Sequence, residues 1–431
     1  MERENQPAAV RHQPGAAPGA AAPGGSAEQD LLLLTPRLPC LGERGHRQRW
    51  YYLLRYLARH YRVHLGSFAD PARDRAHIGH IKALCYETCF VEPPRANRVR
   101  ALRALARGEP TVLPRYRNAT LAAWVERLLR RQPIEAAIAC SARMGDYLAE
   151  AGDCTRVLDI VELESQRRRG AAAALRWPLG ALSQLDCARQ LEHERALARQ
   201  CQHLLFASAS AAELFVRLAP ESAHKAGVLA NGVDTDYFSP HIVHRNPFEP
   251  GSRALVFAGT LDDAANLAAA AWFAREVFGP LHAADPALRL CVLGARSGTR
   301  QRALAAIDGV ILAGAVPDPR QYLAHAALVV APQQAPHGQP HKLLEAMAMQ
   351  KIVVASAPAL AGLGLGHGVD VLVADGAAAF LARAGSALAA PPQALAKAAR
   401  TRVLREHGWD RALAPLQAML GGARARRASA G

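Results

Sequence analysis

The sequence predicts an α/β protein built from two doubly wound domains in tandem. Three observations carry that prediction. Short apolar runs such as Leu31 to Leu34 end on turn residues, here Thr35 and Pro36, as strands buried on both faces do. Segments with helical spacing lie between them. The same alternation begins again after Ser239 to Ser252, a stretch rich in Pro, His and Asn and therefore read as a linker.

The first strand, Leu31 to Leu34, leads into a loop holding Gly42 and Gly45. Arg47 to His60 then places Trp50, Leu53, Leu54 and Leu57 on one helical face, and Val63 to Phe68 forms the next strand. Strand, Gly loop, helix, strand is how a doubly wound domain opens. Further strands are expected at Ala136 to Ala139, Arg156 to Ile160 and Leu204 to Ser208. Helices are expected over Pro178 to Gln200 and Ala211 to Leu218. In the second half the expected strands are Ala254 to Ala258, Leu288 to Leu293, Val310 to Ala313, Ala327 to Val330 and Ile352 to Ala355. Helices are expected over Asn266 to Ala284 and His341 to Met349. The boundaries that result are a disordered tail over 1–30, a first domain over 31–226 and a second over 227–400. A closing helix over 401–422 returns to the first domain, and a basic tail covers 423–431. The strands' carboxyl ends would face a shared cleft, where ligands bind in open α/β sheets.

Composition fits this plan. The chain has 431 residues, 50% of them apolar, enough for two α/β cores with tails. The formal net charge of +15 favours anionic partners: phosphate-bearing substrates, an anionic membrane surface or nucleic acid. The eight Cys are scattered and form no CxxC pair, so a disulfide scaffold or zinc ribbon is not expected and a reducing cytoplasm suits the pattern. His77, His80, Cys85 and Cys89 match no common zinc spacing, so no metal site is expected there. No run of about 20 apolar residues predicts a membrane span, and the N-terminus has no signal-peptide pattern.

Several motifs in order along the chain resemble family 4 glycosyltransferases. They are the segment Asn231 to Pro240 (NGVDTDYFSP), Leu343 to Met349 followed by Ile352 to Ser356, and His407 to Asp410 (HGWD). The resemblance is closer still to the sugar transferases associated with PEP-CTERM/exosortase exopolysaccharide systems. That is carried by Arg62 to Gly66, Glu194 to Ala196, Val316 to Asp318, Tyr322 to Ala326 and Val371 to Asp375. The likeness spans 31 to 420 and is most specific in the second domain. It implies a GT-B fold and a retaining reaction without a required metal or other cofactor, the nucleotide-sugar donor being a substrate.

The resemblance also distributes roles. Glu345 takes the position of the acid that accepts hydrogen bonds from the donor ribose, a task suited to an ionised carboxylate. His337 stands where the family usually has a Glu touching the transferred sugar, and could donate to a sugar hydroxyl or a phosphate oxygen. The loop with Gly338 and Gln339 enters a helix, whose free N–H groups suit a pyrophosphate, although Pro340 donates none. Lys342 supplies a nearby point charge. Gly259 and Thr260 follow the second domain's first strand, and Gly314 and Val316 lie in the loop expected to read the base through its backbone.

On the acceptor side, Gly45, His46 and Arg47 form a small basic loop suited to phosphate. Glu162 and Glu164, in the segment Asp159 to Ser165, are the acids that could position an acceptor hydroxyl or act as base. Seven arginines between Arg95 and Arg117, interleaved with Val99, Leu102 and Leu105, could meet an anionic membrane or lipid phosphate; a solvated helix face is the plainer reading.

The function expected is transfer of a sugar from a nucleotide-sugar to a saccharide or a polyprenyl-phosphate-linked acceptor. The protein would be cytoplasmic and peripheral on the inner face of the plasma membrane. A catalytically weak or inactive GT-B subunit stays open, because His337, Pro340 and Gln350 depart from the family pattern. A nucleic-acid-binding protein fits the charge but no recognised binding module, and aromatic residues are sparse at 6%, so no nucleic-acid partner is expected.

Overall fold

Central parallel strands have no polar face, so their sequences read as unbroken apolar runs. The computed structural model describes residues 29–41, 45–93, 98–149, 151–152, 154–161, 163–172, 179–259, 264–294, 299–314, 316, 318–333 and 341–428. In the first half, strands β1 (Asp30–Thr35), β2 (Arg62–Phe68), β3 (Glu87–Val91), β4 (Ile134–Cys140), β5 (Thr155–Val161), β6 (His203–Phe206) and β7 (Ala226–Val228) alternate with helices. These are α1 (His46–Leu57), α2 (Pro71–Leu84), α3 (Arg98–Ala106), α4 (Ala119–Arg131), α5 (Glu164–Ala172), α6 (Leu179–Gln200) and α7 (Ala209–Leu218). All strand pairs are parallel, in the order β3-β2-β1-β4-β5-β6-β7.

The second half repeats the scheme with β8 (Arg253–Ala258), β9 (Leu288–Leu293), β10 (Val310–Gly314), β11 (Ala326–Ala331), β12 (Val353–Ala355) and β13 (Leu372–Val373). Its helices are α8 (Ala264–Phe273), α9 (Gly279–Ala284), α10 (Thr299–Ala305), α11 (Arg320–Ala324), α12 (His341–Ala348), α13 (Ala377–Ala389) and α14 (Gln393–Glu406). The strand order is β10-β9-β8-β11-β12-β13. Each sheet therefore reverses direction once, at β1/β4 and at β8/β11, and a ligand crevice forms where two neighbouring connections leave in opposite directions. The loops after β1, β4, β8 and β11 are the ones that flank those crevices.

Strand side chains alternate between two buried layers, as the pleat requires. Leu32, Leu34, Ala137 and Leu158 pack on one face of the first sheet. Leu31, Leu33, Ile138 and Val157 pack on the other. The second sheet does the same, with Leu255, Leu290 and Val330 against Val256, Cys291 and Val329. Gly66 on β2 is a packing glycine. A Cβ there would stand 2.7 Å from a methyl of Leu34 and 2.9 Å from one of Leu121, so α4 could not approach the strand as closely.

Two short helices, α15 (Trp409–Leu413) and α16 (Pro415–Ala428), end the chain. Trp409, Leu413, Leu416 and Leu420 sink into the first domain's core layer. Each such side chain contributes about 1.5–3 kcal/mol of burial, which ties the tail to the opposite half. The connection between the sheets falls after Val228, because β7 pairs with β6, whereas the sequence reading starts the second domain at Gly227. The expected single helix over Asn266 to Ala284 is broken by a π turn at Ala274–Phe278. The tails 1–28 and 429–431 lie outside the described residues.

Candidate donor and acceptor crevices

In the second sheet, the loop after β8 begins with Gly259. A Cβ on Gly259 would come within 2.4 Å of the Phe257 ring, so the chain can turn tightly over that ring only with glycine. Across the crevice, β11 runs through Pro332 and Gln333 towards α12. This helix opens with His341 and Lys342 and carries Glu345 one turn further on, each of the three partly accessible. Leu343, Leu344, Ala346, Met347 and Ala348 are buried, so the helix has one polar edge and rests its other sides on the core. Lys342 and Glu345 therefore stand three positions apart on that polar edge.

The end of α12 fixes its register. Gln350 has φ +56°; its N–H bonds the Met347 carbonyl at 2.9 Å, and the Lys351 N–H bonds the Ala346 carbonyl at 3.0 Å. That is the Schellman pattern, in which a left-handed residue normally supplied by glycine closes the helix. Gln350 performs the same closure at a steric cost. Gly314, at the end of β10, also has positive φ, +67°, and Val316 beyond it is partly accessible. His337, Gly338, Gln339, Pro340 and Thr260 lie outside the described residues.

In the first sheet, Gly45 precedes α1 with φ +93°, a conformation open to glycine at little cost. His46 is exposed and stacks on Trp50 with ring centres 5.9 Å apart. Arg47 is committed inward: its guanidinium donates to the Leu38 carbonyl at 2.7 Å and to Asp74 on α2 at 2.6 Å. A phosphate at this loop would have to compete with Asp74 for Arg47, while His46 stands open to solvent.

Two strand ends beside this loop hold unusual backbone. Ser141, after β4, has φ +97°, and Val161, ending β5, has φ +64°. A β-branched residue in the left-handed region is a true outlier, of the kind that costs about 1–3 kcal/mol and concentrates at functional sites. The β5/β6 register shifts at this point. Glu164 follows at the start of α5, bonded by Arg143, with the second pair at 2.9 Å from Nε, and with Arg167 at 3.6 Å. Its neighbour Ser165 donates to the buried Glu194 at 2.6 Å, whose burial raises its carboxyl above the ordinary range while the Ser165 bonds oppose that rise. Glu162 lies outside the described residues.

The residue that sequence reading missed is Arg49. It is 2% exposed and forms a two-pronged pair with Asp159, itself fully buried, at 3.0 and 2.9 Å. Asp159 is therefore bound to a cation behind the strained strand end. The sequence signal was slight: Arg49 stands three, four and seven positions before Tyr52, Leu53 and Tyr56, on the apolar face of the helix, where an unpaired charge is not tolerated.

A family model described as "Glycosyl transferases group 1" matches residues 252–391. No curated protein matches the chain. Among solved structures, a glycosyltransferase from Rickettsia africae aligns with a TM-score of 0.62 at 10% identity, covering 92% of this chain and 98% of its own. Sucrose-phosphate synthase from Thermosynechococcus elongatus aligns at 0.60 and 16% identity, covering 94% and 100%. Anabaena HepE in complex with UDP aligns at 0.59 and 15%, covering 91% and 100%. Residues 252–391 thus match the group 1 glycosyltransferase model, and the chain has the two-domain GT-B fold of these structures.

Proposed function

We propose that the chain transfers a sugar from a nucleotide-sugar to a saccharide or polyprenyl-phosphate-linked acceptor, with retention and without a metal. The donor lies in the second-domain crevice and the acceptor in the first. The observation that carries this reading is the position of Lys342 and Glu345. Both stand on the first turns of α12, at the direction reversal of a sheet whose residues match the group 1 model. Glu345 accepts from the ribose hydroxyls, Lys342 neutralises phosphate, and Gly259, Thr260, Gly338, Gln339, Gly314 and Val316 supply backbone. His337 meets the transferred sugar. Gly45 and His46 meet the acceptor with Arg47 bracing their loop, and Glu162 and Glu164 orient the acceptor hydroxyl. HepE has been solved with UDP and with UDP-glucose, so uridine donors come first in the test.

Membrane contact of the first domain belongs to the same proposal. Leu179, Leu182 and Leu185 of α6 and Val99 of α3 are 64%, 45%, 45% and 54% exposed, beside the exposed Arg100, Arg103 and Arg107. Apolar side chains flanked by cations suit an anionic lipid surface. Among the described residues no helix is long and apolar enough to cross a membrane, so contact would be peripheral.

The experiment incubates the protein with UDP-, GDP- and dTDP-sugars plus membrane lipid extract and measures released nucleotide beside Glu345→Ala. Losing hydrogen bonds to a charged group costs about 1.5–3 kcal/mol, so donor KM should rise by about ten- to a hundredfold. Turnover unaffected by Glu345→Ala refutes the donor site. Turnover abolished by a chelator refutes metal independence, and an inverted anomer in the product refutes retention.

A further inference from the structure

The joint between the two halves is a continuous chain of polar contacts. Arg49 on α1 holds Asp159 with two of its nitrogens and reaches across with the third, Nη1, to the Leu229 carbonyl at 2.8 Å and to Asn231 Oδ1 at 2.6 Å. An arginine only donates, so the oxygen of the Asn231 amide must face Arg49. Its Nδ2 then faces the other way, 3.0 Å from His341 Nε2. An amide nitrogen only donates as well, which makes Nε2 the acceptor and puts the ring proton on Nδ1. The network thus assigns both the amide orientation and the imidazole tautomer.

The surrounding joint leaves Asn231 little freedom. A Cβ on Gly232 would sit 2.5 Å from Trp409 Cα. Val233 donates its N–H to the His407 carbonyl at 2.8 Å. Tyr52 of α1 donates to Asp234 and stacks on Trp409 with ring centres 4.6 Å apart. The segments Asn231 to Asp234 and His407 to Trp409, about 175 positions apart in sequence, therefore form one packed unit between α1 and α12.

We propose that Asn231 is a positioning residue for the donor site. Its amide fastens the first turn of α12 to the buried Arg49–Asp159 pair and so presents Lys342 and Glu345 at a fixed place against the first domain. The clamp is read from the contacts themselves, and only its consequence for donor binding rests on the donor-site reading. Among the described residues, the charge that bears on His341 is Arg49, itself paired with Asp159, while Lys342 and Glu345 lie on its own helix. Burial, and next the Arg49 charge, push the His341 imidazole down to about 4, in keeping with a ring that accepts at Nε2.

Asn231→Asp is the discriminating change. A carboxylate can still accept from Arg49 but has nothing to donate to Nε2, so the contact survives only if His341 takes up a proton. The full chain labelled with 15N histidine reports this by NMR, with the His341 signals identified by their loss in His341→Gln. Wild-type His341 should show a protonated Nδ1, a bare Nε2 and no titration between about pH 5 and 8. In Asn231→Asp its midpoint should rise by more than about one pH unit, and UDP affinity by calorimetry should become pH-dependent across that midpoint. A wild-type ring protonated at Nε2, or one titrating near its ordinary value, overturns the clamp even if the variant does not fold. An unshifted midpoint in a folded Asn231→Asp overturns it too. If the midpoint shifts but UDP affinity does not follow it, the positioning role is refuted. If the wild type binds no nucleotide, the donor-site reading fails and the positioning role falls with it, while the tautomer result still decides the contact.

Discussion

Replacing Asp159 by alanine should be among the most destabilising single changes in the first domain. The carboxylate is fully buried and its partner Arg49 is 2% exposed. At about 4 Å between charge centres and an effective dielectric near 20, their attraction is about 4 kcal/mol. Removing one member of a buried pair leaves the other charged and out of water, which costs about 3–5 kcal/mol. Arg49 would keep its bonds to the Leu229 carbonyl and Asn231, but these are neutral acceptors. Urea unfolding followed by circular dichroism should show the first-domain transition falling by about 1.5–2.5 M, taking a slope of about 2 kcal/mol per molar. The double change Arg49→Met with Asp159→Leu should cost less than Asp159→Ala alone, because apolar replacements of both partners remove the desolvation penalty along with the attraction. A loss below about 1 kcal/mol for Asp159→Ala would mean that Arg49 reaches water, refuting the buried pair. A double variant less stable than the single would refute the argument that the stranded charge carries the cost.

Three other changes probe the joint and the donor helix. Gln350→Gly should stabilise the second domain by about 0.5–1 kcal/mol, the relief of a left-handed side chain less glycine's extra entropy in the unfolded chain; a lower urea midpoint would contradict the Schellman closure. Gly232→Ala should lower stability by about 1–3 kcal/mol and loosen α15 and α16, since its Cβ meets backbone rather than a side chain that can swing away. Limited proteolysis near 407 should accelerate, and an unchanged cleavage rate would count against the packed joint. The pH dependence follows from His341: its folded value near 4 lies below the ordinary 6.5, so the unfolded chain binds more protons between them. Its contribution is complete above about pH 6.5 and is lost as pH falls towards 4, by at most about 3 kcal/mol at 1.36 kcal/mol per pH unit. His341→Gln should flatten that part of the stability profile, and an unaltered slope would sink the assignment.

The central strands were legible because burial on both faces leaves a run such as Leu31 to Leu34 with no alternative structure of that length. β3 and β13 were not, since β3 is partly exposed along most of its length and β13 has only two residues, both partly exposed. The π turn at Ala274–Phe278 has no sequence mark, because its residues keep the helical spacing of their neighbours. At the site, Glu345 stood out as an acid within an apolar helix, whereas Arg49 was hidden among the basic residues of α1. Its importance depends on Asp159, 110 positions away, and on an asparagine whose motif was visible while its partners were not. Contacts that close across domains leave no local periodicity to read.

The character of the joint bears on how such a chain can work. A transferase with its donor in one half and its acceptor in the other must bring the halves together in one geometry and release them again, and interfaces between domains of a chain are expected to move. An apolar interface would tolerate sliding, since burial is non-directional. The chain Asp159–Arg49–Asn231–His341 is directional at every step: each contact runs from a fixed donor to a fixed acceptor, and the amide cannot be turned round without setting like groups against each other at both ends. Because His341 is neutral in this arrangement, parting it from Asn231 exposes an amide and an imidazole rather than a bare charge, a cost of about one ordinary hydrogen bond. The charged pair stays whole inside the first domain while the neutral contact lies at the boundary. That division lets the joint specify one geometry strongly and still part at modest cost.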